Sequence, residues 1–502
     1  MIPSPTGTPQ PPPLSESAVK PIKPTPFILG LLLLLTLPTN QSWGAGANIN
    51  LPEMGDSSAT LLSAEEDKKL GQAFMRNLRT QAEIIESPEI NAYLNALGYR
   101  LLSSAGSEQP FAFFVVDDPN INAFAGPGGY IGIHTGLILA AESEGELAAV
   151  MAHEIAHVTQ HHLARAFQKA SAGNMQTAAA LLAAILIGNP GVTQAAIALS
   201  AAGNIQQQLN FTRDHEREAD RVGIETLARA GYDPRQMPAF FTRLQQSTRY
   251  MESNLPELLR THPVTPARIA DSSNRAEQFP HVTGNESDEF YLIQALIRTL
   301  HGDKQQRLKE LESIKSPTTA QRYEQALWQL DATNLQQAEN LSRGLLKEAP
   351  ERDLFIALQA KIELQQGKLE AAEQRLEAAL KLYPSHPLLA ILYANSELRL
   401  GKADKAATIL RELIVQQERF ILPAYYQLLA QAEMANGHES DAYQALAEYD
   451  YLLGQTRTAI EHLKTALDHT DKNDTFRWER LNTRLNDLQG EVLEAERKET
   501  KK

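Results

Sequence analysis

The sequence lacks cysteine altogether. Without cysteine the chain forms no disulfide and carries no lipid on a cysteine, and any zinc site must be built from histidine and carboxylate side chains alone. Positive charge is also scarce, because 47 Lys and Arg residues face 61 Asp and Glu residues, for a formal net charge of −14. Nucleic acids and anionic membrane surfaces bind surplus positive charge, so neither is an expected partner.

Long apolar runs are missing too. The longest near the N-terminus, Phe27 to Leu37, covers about 11 residues, whereas a membrane-spanning helix needs about 20. It follows Lys20 and Lys23 and leads into Ala45-Gly46-Ala47, a small-x-small cleavage pattern. Residues 1–47 are therefore predicted to be a Pro-rich leader and a signal peptide for export, with a retained anchor as the alternative.

The next part of the chain predicts helices around a small sheet. Leu61 to Gly106 has the apolar spacing of two helices, and Glu142 to Gln168 has that of a third. Phe111 to Val116 and Tyr130 to Ile133 are rich in β-forming residues, and a Pro-Gly-Gly turn precedes the second segment. We expect the segment at Tyr130 to be a sheet edge along which an extended substrate pairs through its backbone.

Two apolar, Ala-rich runs, 178–187 and 192–201, are separated by Asn189-Pro190-Gly191. Each is too short to cross a bilayer. They predict a buried helical hairpin, and a mobile lid over the active site is the alternative.

The C-terminal part of the chain repeats with a period of 34 residues, which is the length of a tetratricopeptide helix pair. The positions that keep this register are Leu335, Leu369 and Ala403, then Ala338, Ala372 and Ala406, and then Leu346, Leu380 and Ile414. Such units stack into a solenoid whose concave surface usually binds proteins. The predicted organisation is residues 1–47 as leader and signal, 48–280 as one folded domain and 281–495 as a repeat domain.

His153-Glu154-Ile155-Ala156-His157 is the motif that carries chemistry. On a helix, histidines at i and i+4 point to one face and can bind one metal ion. Glu154 is rotated by about 100° from His153, so it reaches a water molecule on the metal rather than the metal itself. The pattern is typical of zinc peptidases, in which the glutamate takes a proton from that water.

The segment from Arg213 to Asp220 offers a third ligand. A helical arrangement puts Glu216 and Asp220 on one face, as a ligand and a supporting acid that orients a histidine. Glu218 is turned away and is predicted to be a solvated surface charge. His161, His162 and His215 are likewise predicted to face solvent rather than to coordinate.

Together, HExxH and the downstream Glu216-x-x-x-Asp220 resemble the HtpX-like and CAAX-prenyl-protease-like gluzincins. The order of signal peptide, protease and repeats, with the segment Asn122 to Tyr130, is most similar to the periplasmic β-barrel assembly-enhancing proteases. This resemblance implies a mainly α fold, in which a gluzincin-type metalloprotease domain of helices and a small β-sheet precedes an α-solenoid of tetratricopeptide repeats. It also implies one Zn²⁺ held by His153, His157 and Glu216, with Glu154 and Asp220 as catalytic residues.

For function, the resemblance implies a periplasmic zinc metalloendopeptidase with chaperone-like activity that degrades misfolded or stalled outer-membrane proteins. Its implied partners are unfolded substrates, the β-barrel assembly machinery through the repeat domain, and the outer membrane by peripheral contact. The alternative is a repeat-based adaptor with a latent or structural zinc site. The segment Thr261-His262-Pro263 resembles a loop whose histidine approaches the metal, so His262 is a candidate regulatory fourth ligand. Relatives often carry a cysteine pair, so redox control is not expected here.

Overall fold

A computed structural model describes residues 63–107, 109–163, 175–187, 213–248, 256–282, 287–417 and 420–499. The predicted signal peptide and the second apolar run, 192–201, lie outside the described residues. Among the helices that are described, none combines the length and the apolarity that a membrane span requires.

The N-terminal half is a set of helices around one small sheet, as predicted. Several helices begin at a side-chain cap that satisfies free backbone N–H groups: Ser63 and Glu66 form a capping box, and Ser87 and Ser143 cap the next two long helices. The helices are α1 (Ala64–Gln81), α2 (Pro88–Ala105), α3 (Thr135–Ala140), α4 (Glu144–Thr159), α5 (Met175–Leu186), α6 (Arg213–Arg229), α7 (Gln236–Thr248), α8 (Glu257–Thr261) and α9 (Pro266–Ala276).

The sheet has three strands, β1 (Ala112–Val116), β2 (Ala123–Ala125) and β3 (Tyr130–His134), in the order β1-β3-β2. β3 pairs in parallel with β1 and antiparallel with β2. The prediction that the strand at Tyr130 forms an edge is therefore wrong. The Pro127-Gly128-Gly129 turn folds β2 back onto one side of β3, while β1 covers the other side. The edge next to α4 is the short strand β2.

Helix α4 is shorter than the predicted span of Glu142 to Gln168. It begins at Glu144 under the Ser143 cap and ends at Thr159. The chain leaves the helix because His161 adopts a left-handed backbone conformation with φ of 53°, which few residues other than glycine adopt. This turn places His162 behind the helix.

The C-terminal half is the predicted helical solenoid. Leu335, Leu369 and Ala403 are each the first residue of the second helix of a pair, and Gly367 and Gly401 make the turns before two of them with φ of 74° and 77°. The helices are α10 (Glu289–Arg298), α11 (Lys304–Ser313), α12 (Thr319–Asp331), α13 (Leu335–Glu348), α14 (Asp353–Gln365), α15 (Leu369–Leu382), α16 (Pro387–Arg399), α17 (Ala403–Gln416), α18 (Pro423–Ala435), α19 (Glu439–Leu452), α20 (Thr456–Asp468) and α21 (Thr475–Glu499).

Helix α1 packs against the far end of the solenoid, so the two halves share one apolar core. The Arg79 guanidinium donates to the carbonyls of Ile421 and Leu452, both at 3.3 Å. It also lies over the ring of Phe420, which stacks on Phe114 of β1 with 5.8 Å between centroids. A second core cluster contains residues from both halves, from α2 to α16. The domain boundaries at 47, 280 and 495 stay predictions, and the apolar core continues across the second of them.

Candidate metal centre

The site is built where α4 and α6 lie in close contact. Helix α4 is buried from Glu144 to His157, and α6 buries Glu216 and Asp220 against it. Gly223 permits this approach, because a Cβ atom there would lie 3.2 Å from the backbone nitrogen of His153 and 2.9 Å from Cε of Met237. The helical spacing of the two motifs thus points the imidazoles of α4 and the carboxylates of α6 at each other.

Four buried side chains converge at this contact: His153, His157, Glu216 and His262 each offer one ligand atom, and these atoms lie within 4.8 Å of one another. The Nε2 atoms of His153 and His157 are 3.0 Å apart, and each is 3.5 Å from an oxygen of Glu216. Ligands at about 2.0 to 2.1 Å in a tetrahedral zinc site would be about 3.3 Å from one another. The spacing and the donor types therefore fit a metal ion.

The side chain of Glu154 lies beside this cluster and is buried. Its side chain is 1% exposed, and neither carboxylate oxygen accepts a hydrogen bond from any residue that the structure describes. Nε2 of His262 lies 3.7 Å from Oε1 of Glu154. A buried carboxylate without a donor is costly unless a ligand or water serves it. The two oxygens of Glu154 are therefore available to a ligand or a water molecule that enters the site.

The protein's own charges set the protonation of the cluster. Burial lowers the pKa of His157 well below its usual value, and positive charge on His153 adds to this effect. Burial also disfavours charge on His153, but hydrogen bonds to Asp220 and Glu216 outweigh it and raise its pKa to about 10. Burial opposes ionisation of Glu216, yet the surrounding histidines hold its pKa well below the usual range. Glu216 is thus an ionised carboxylate, as a metal ligand needs to be.

Asp220 stands behind His153 rather than inside the cluster. Its Oδ1 lies 3.0 Å from Nδ1 of His153, and the Arg268 guanidinium donates to both of its oxygens at 2.8 Å. Arg268 also pairs with Oε2 of Glu216 at 2.6 Å and donates to the carbonyl of Pro263. The sequence did not single out Arg268, because an arginine in the first turn of a helix is ordinarily solvated. Only its three-dimensional pairing with two buried acids shows its importance.

The structure brings His262 against the other candidate ligands. Its side chain is 4% exposed, with Nδ1 2.9 Å from Oε1 of Glu216 and 3.4 Å from Nε2 of His153. It directly follows α8, whose Leu258 donates its backbone N–H to the carbonyl of Ile121, just before β2. This short helix therefore places the imidazole over the cluster.

The prediction for His162 is wrong. The side chain is fully buried, with Nδ1 2.8 Å from Nδ1 of His157 and Nε2 3.1 Å from Oε2 of Glu218. Glu218, predicted to be a solvated charge, is a partly exposed partner of this histidine. His215 stacks on His162 with ring centroids 4.4 Å apart and is partly buried, as is His161. Helical periodicity misplaced His162 because the helix ends before it.

The comparisons with known proteins agree with this geometry. Residues 79–276 match the sequence profile of Peptidase family M48, and residues 363–432 match a tetratricopeptide repeat profile. The beta-barrel assembly-enhancing protease of Escherichia coli is 36% identical over 329 residues, which cover 63% of this chain and 67% of that protein. A Vibrio cholerae protein whose name assigns it provisionally to the same kind of protease is 37% identical over 338 residues, covering 65% and 69%.

The chain belongs to peptidase family M48. A more distant relative, the mitochondrial metalloendopeptidase OMA1 of Arabidopsis thaliana, is 28% identical over 231 residues, covering 45% of this chain and 42% of that protein. The chain is therefore a metalloendopeptidase in which an M48 protease half precedes tetratricopeptide repeats. The prediction of the family, the fold class and the enzyme type is confirmed.

Proposed function

We propose that this M48 peptidase is a periplasmic zinc metalloendopeptidase that degrades misfolded or stalled outer-membrane proteins and supports outer-membrane assembly. The observation that carries the proposal is the convergence of two imidazoles and one carboxylate beside Glu154. Among the described residues, none donates a hydrogen bond to the Glu154 carboxylate. Two histidines and one carboxylate favour zinc over harder cations such as Mg²⁺, which prefer oxygen ligands. We assign one Zn²⁺ per chain to His153, His157 and Glu216.

Each residue then has a defined task. A bound zinc ion would supply Lewis-acid polarisation of a substrate carbonyl and of a water molecule. Glu154 accepts the proton of the attacking water and returns it to the amine of the leaving fragment, for which its free oxygens suit it. Asp220 holds Nδ1 of His153, so that Nε2 faces the cluster, and is held in turn by Arg268. We propose for Asp220 this supporting role in catalysis.

We further propose that His262 occupies the remaining ligand position and keeps the enzyme latent. Its imidazole contacts two of the three proposed ligands and approaches Glu154, so it fills the space that a substrate carbonyl and a water molecule need. Opening then requires only that the segment from α8 to Pro263 moves away. That movement would break the hydrogen bond from Arg268 to the carbonyl of Pro263 and the one from the Leu258 N–H to the carbonyl of Ile121.

A casein-degradation assay tests the proteolytic part of the proposal. The wild-type protein should cleave casein slowly, because the proposed His262 latch opens only part of the time. A chelator should stop this cleavage, and added zinc should restore it. Glu154→Gln is the matched control, because it keeps the size of the side chain and all proposed ligands, so it should bind zinc and yet lose turnover. Cleavage that persists in the chelator or in Glu154→Gln would contradict the proposed centre.

His262→Ala tests the latch. We expect faster degradation of an unfolded outer-membrane protein, because the imidazole no longer competes for the site. His281→Ala is a suitable control, since the His281 side chain is exposed and its Nδ1 pairs with Asp233 at 3.0 Å. Degradation by His262→Ala at or below the wild-type rate would disprove the latch.

The second candidate function is that of a repeat-based chaperone or adaptor whose zinc site stays latent or structural. The buried position of His262 over the cluster favours it, since this is the arrangement of a closed site. Glu154→Gln separates the two functions: if it still suppresses aggregation of an unfolded outer-membrane protein and supports assembly in cells, the chaperone-like activity does not depend on cleavage. Loss of both would assign the assembly role to proteolysis.

The cellular setting also belongs to the proposal. The signal peptide predicted within residues 1–47 supports a periplasmic location, and the name of the Escherichia coli relative supports the β-barrel assembly machinery as a partner. We propose that the repeat domain, residues 281–495, makes this contact and that the protease domain spans 48–280. Peripheral contact with the outer membrane would follow from that partnership. Crosslinking from the repeats in cells, with and without the signal segment, tests these assignments.

A further inference from the structure

The two histidines of the HExxH motif are supported from behind in different ways. Nδ1 of His153 faces a carboxylate directly, with Asp220 at 3.0 Å. Nδ1 of His157 instead faces another imidazole, that of His162, at 2.8 Å, and His162 in turn faces Glu218 at 3.1 Å. The carboxylate behind His157 is thus one residue further away, and His162 connects the two.

If a metal ion binds Nε2 of His157, the contacts between His157, His162 and Glu218 fit one arrangement of protons. Two Nδ1 atoms 2.8 Å apart need one proton between them, so one imidazole donates and the other accepts. Nε2 of His157 faces the cluster, and its lone pair is available to a metal only if the proton of His157 sits on Nδ1. His162 must then accept at Nδ1, carry its own proton on Nε2 and donate it to the carboxylate of Glu218.

We propose that His162 and Glu218 are positioning residues that fix the tautomer and the direction of His157 as a metal ligand. The inference rests on the proposed metal centre and adds a pair of residues to it. The negative charge of Glu218 favours electron donation through His162 to His157, which makes Nε2 a stronger base toward a cation. Outer partners of this kind, which hold the second ring nitrogen of a ligand, commonly govern metal affinity.

The backbone is shaped to make this contact. On a continued α-helix, residue 162 would lie about 140° around the axis from residue 157, on another face. The left-handed conformation of His161, with φ of 53°, ends the helix and turns His162 back under His157. A β-carbon-bearing residue in this conformation is strained, and such strain persists where the surroundings hold it. Helix α6 completes the arrangement, because it supplies Glu218 and the stacked ring of His215.

Zinc affinity, measured by competition with a chromogenic chelator, tests the proposal. His162→Ala should weaken zinc binding by about 10- to 100-fold, the usual effect of removing such a partner. His162→Gln, which offers one acceptor and one donor, should recover part of the loss. Glu218→Gln should weaken binding by a smaller factor. Glu225→Gln is the matched control, because Glu225 lies two turns along α6 with a side chain 31% exposed, against 32% for Glu218, and should bind zinc like the wild type.

A double variant distinguishes a connected chain from two separate effects. If Glu218 acts through His162, adding Glu218→Gln to His162→Ala should cost little more than His162→Ala alone, whereas independent contributions would multiply. A simple space-filling role for His162 would lower the stability of the zinc-free protein and leave zinc affinity unchanged. That result, or multiplying losses, would overturn the proposal.

Two further outcomes distinguish a failure of the proposed metal centre from a failure of the positioning role of His162 and Glu218. If the wild-type protein binds no zinc, both the proposed metal centre and the positioning role of His162 and Glu218 are wrong. If the wild-type protein and His162→Ala bind zinc equally tightly, only the positioning role of His162 and Glu218 is wrong. If His162→Ala does not fold, Glu218→Gln decides the question, since unchanged zinc affinity in that variant would overturn the proposal.

Discussion

Replacing Arg268 by alanine tests the electrostatic design of the site most directly. Arg268 is a buried cation that contacts both Asp220 and Glu216. Its three contacts with the two carboxylates are 2.6 to 2.8 Å long, and it also holds the carbonyl of Pro263 at 3.0 Å. Alanine would leave two buried carboxylates with only imidazoles to balance them.

The magnitude follows from what is left behind. Removing one partner of a buried ion pair costs about 3 to 5 kcal/mol, because the remaining charge stays desolvated. Without zinc we expect the opening free energy of α6 and α9 to fall by that amount. With zinc the loss should be roughly half as large, since the dication takes over the neutralisation of Glu216.

Hydrogen–deuterium exchange measured helix by helix is the assay. A loss of about 3 to 5 kcal/mol speeds exchange of the amides in α6 and α9 by roughly two to four orders of magnitude. Arg275→Ala on the same helix is the control. Its partner Glu225 is 3.7 Å away and both side chains are about a third exposed, so its effect should stay below about 1 kcal/mol. Equal exchange in the two variants, or no rescue by zinc, would refute the reasoning.

Further predictions concern packing, pH and the contact between the halves. Gly98→Ala should lower the unfolding free energy by about 1 to 3 kcal/mol in urea titrations, because its Cβ would lie 2.2 Å from the Phe113 ring. Gly344→Ala is the control and should raise the unfolding free energy by up to about 1 kcal/mol, because a Cβ there would meet open space. Burial, with Asp353 nearby, raises the pKa of Glu289 to about 7 from 4.5, so its contribution to stability is complete below pH 4.5 and is lost as pH rises through 7. Glu289→Gln should therefore gain about 1 to 3 kcal/mol at pH 8 and flatten the pH profile of urea unfolding. Arg79→Ala should speed hydrogen exchange in α18 and α19 while leaving α12 and α13 unchanged.

Local signals in the sequence predicted most of the architecture. The serines at positions 63 and 143 cap helices because their hydroxyls serve free N–H groups, and this needs no distant partner. The 34-residue register located Leu335, Leu369 and Ala403 at helix starts, because each repeat buries the same positions against its neighbours. The helical spacing of the HExxH and ExxxD segments likewise indicated which side chains could meet.

Features that depend on tertiary pairing were missed. Strand β2 has only three residues, too few for an alternation to appear, and it exists because β3 pairs with it. The same pairing moved β3 from the edge to the centre of the sheet. His162 was misplaced because one left-handed residue, His161, breaks the periodicity on which the prediction relied. Arg268 was overlooked because its acidic partners are about fifty residues away in the sequence.

The contact between α1 and the far end of the solenoid limits which parts of this protein can be exchanged for those of another. An exchanged set of repeats would have to present an aromatic ring at the position of Phe420 and two accepting carbonyls at those of Ile421 and Leu452, or Arg79 would lose these contacts. The apolar side of α1, with Phe74 and Leu78, would also lose its cover. The repeats therefore cannot be exchanged without changing α1 as well, because they form part of the interior of the peptidase.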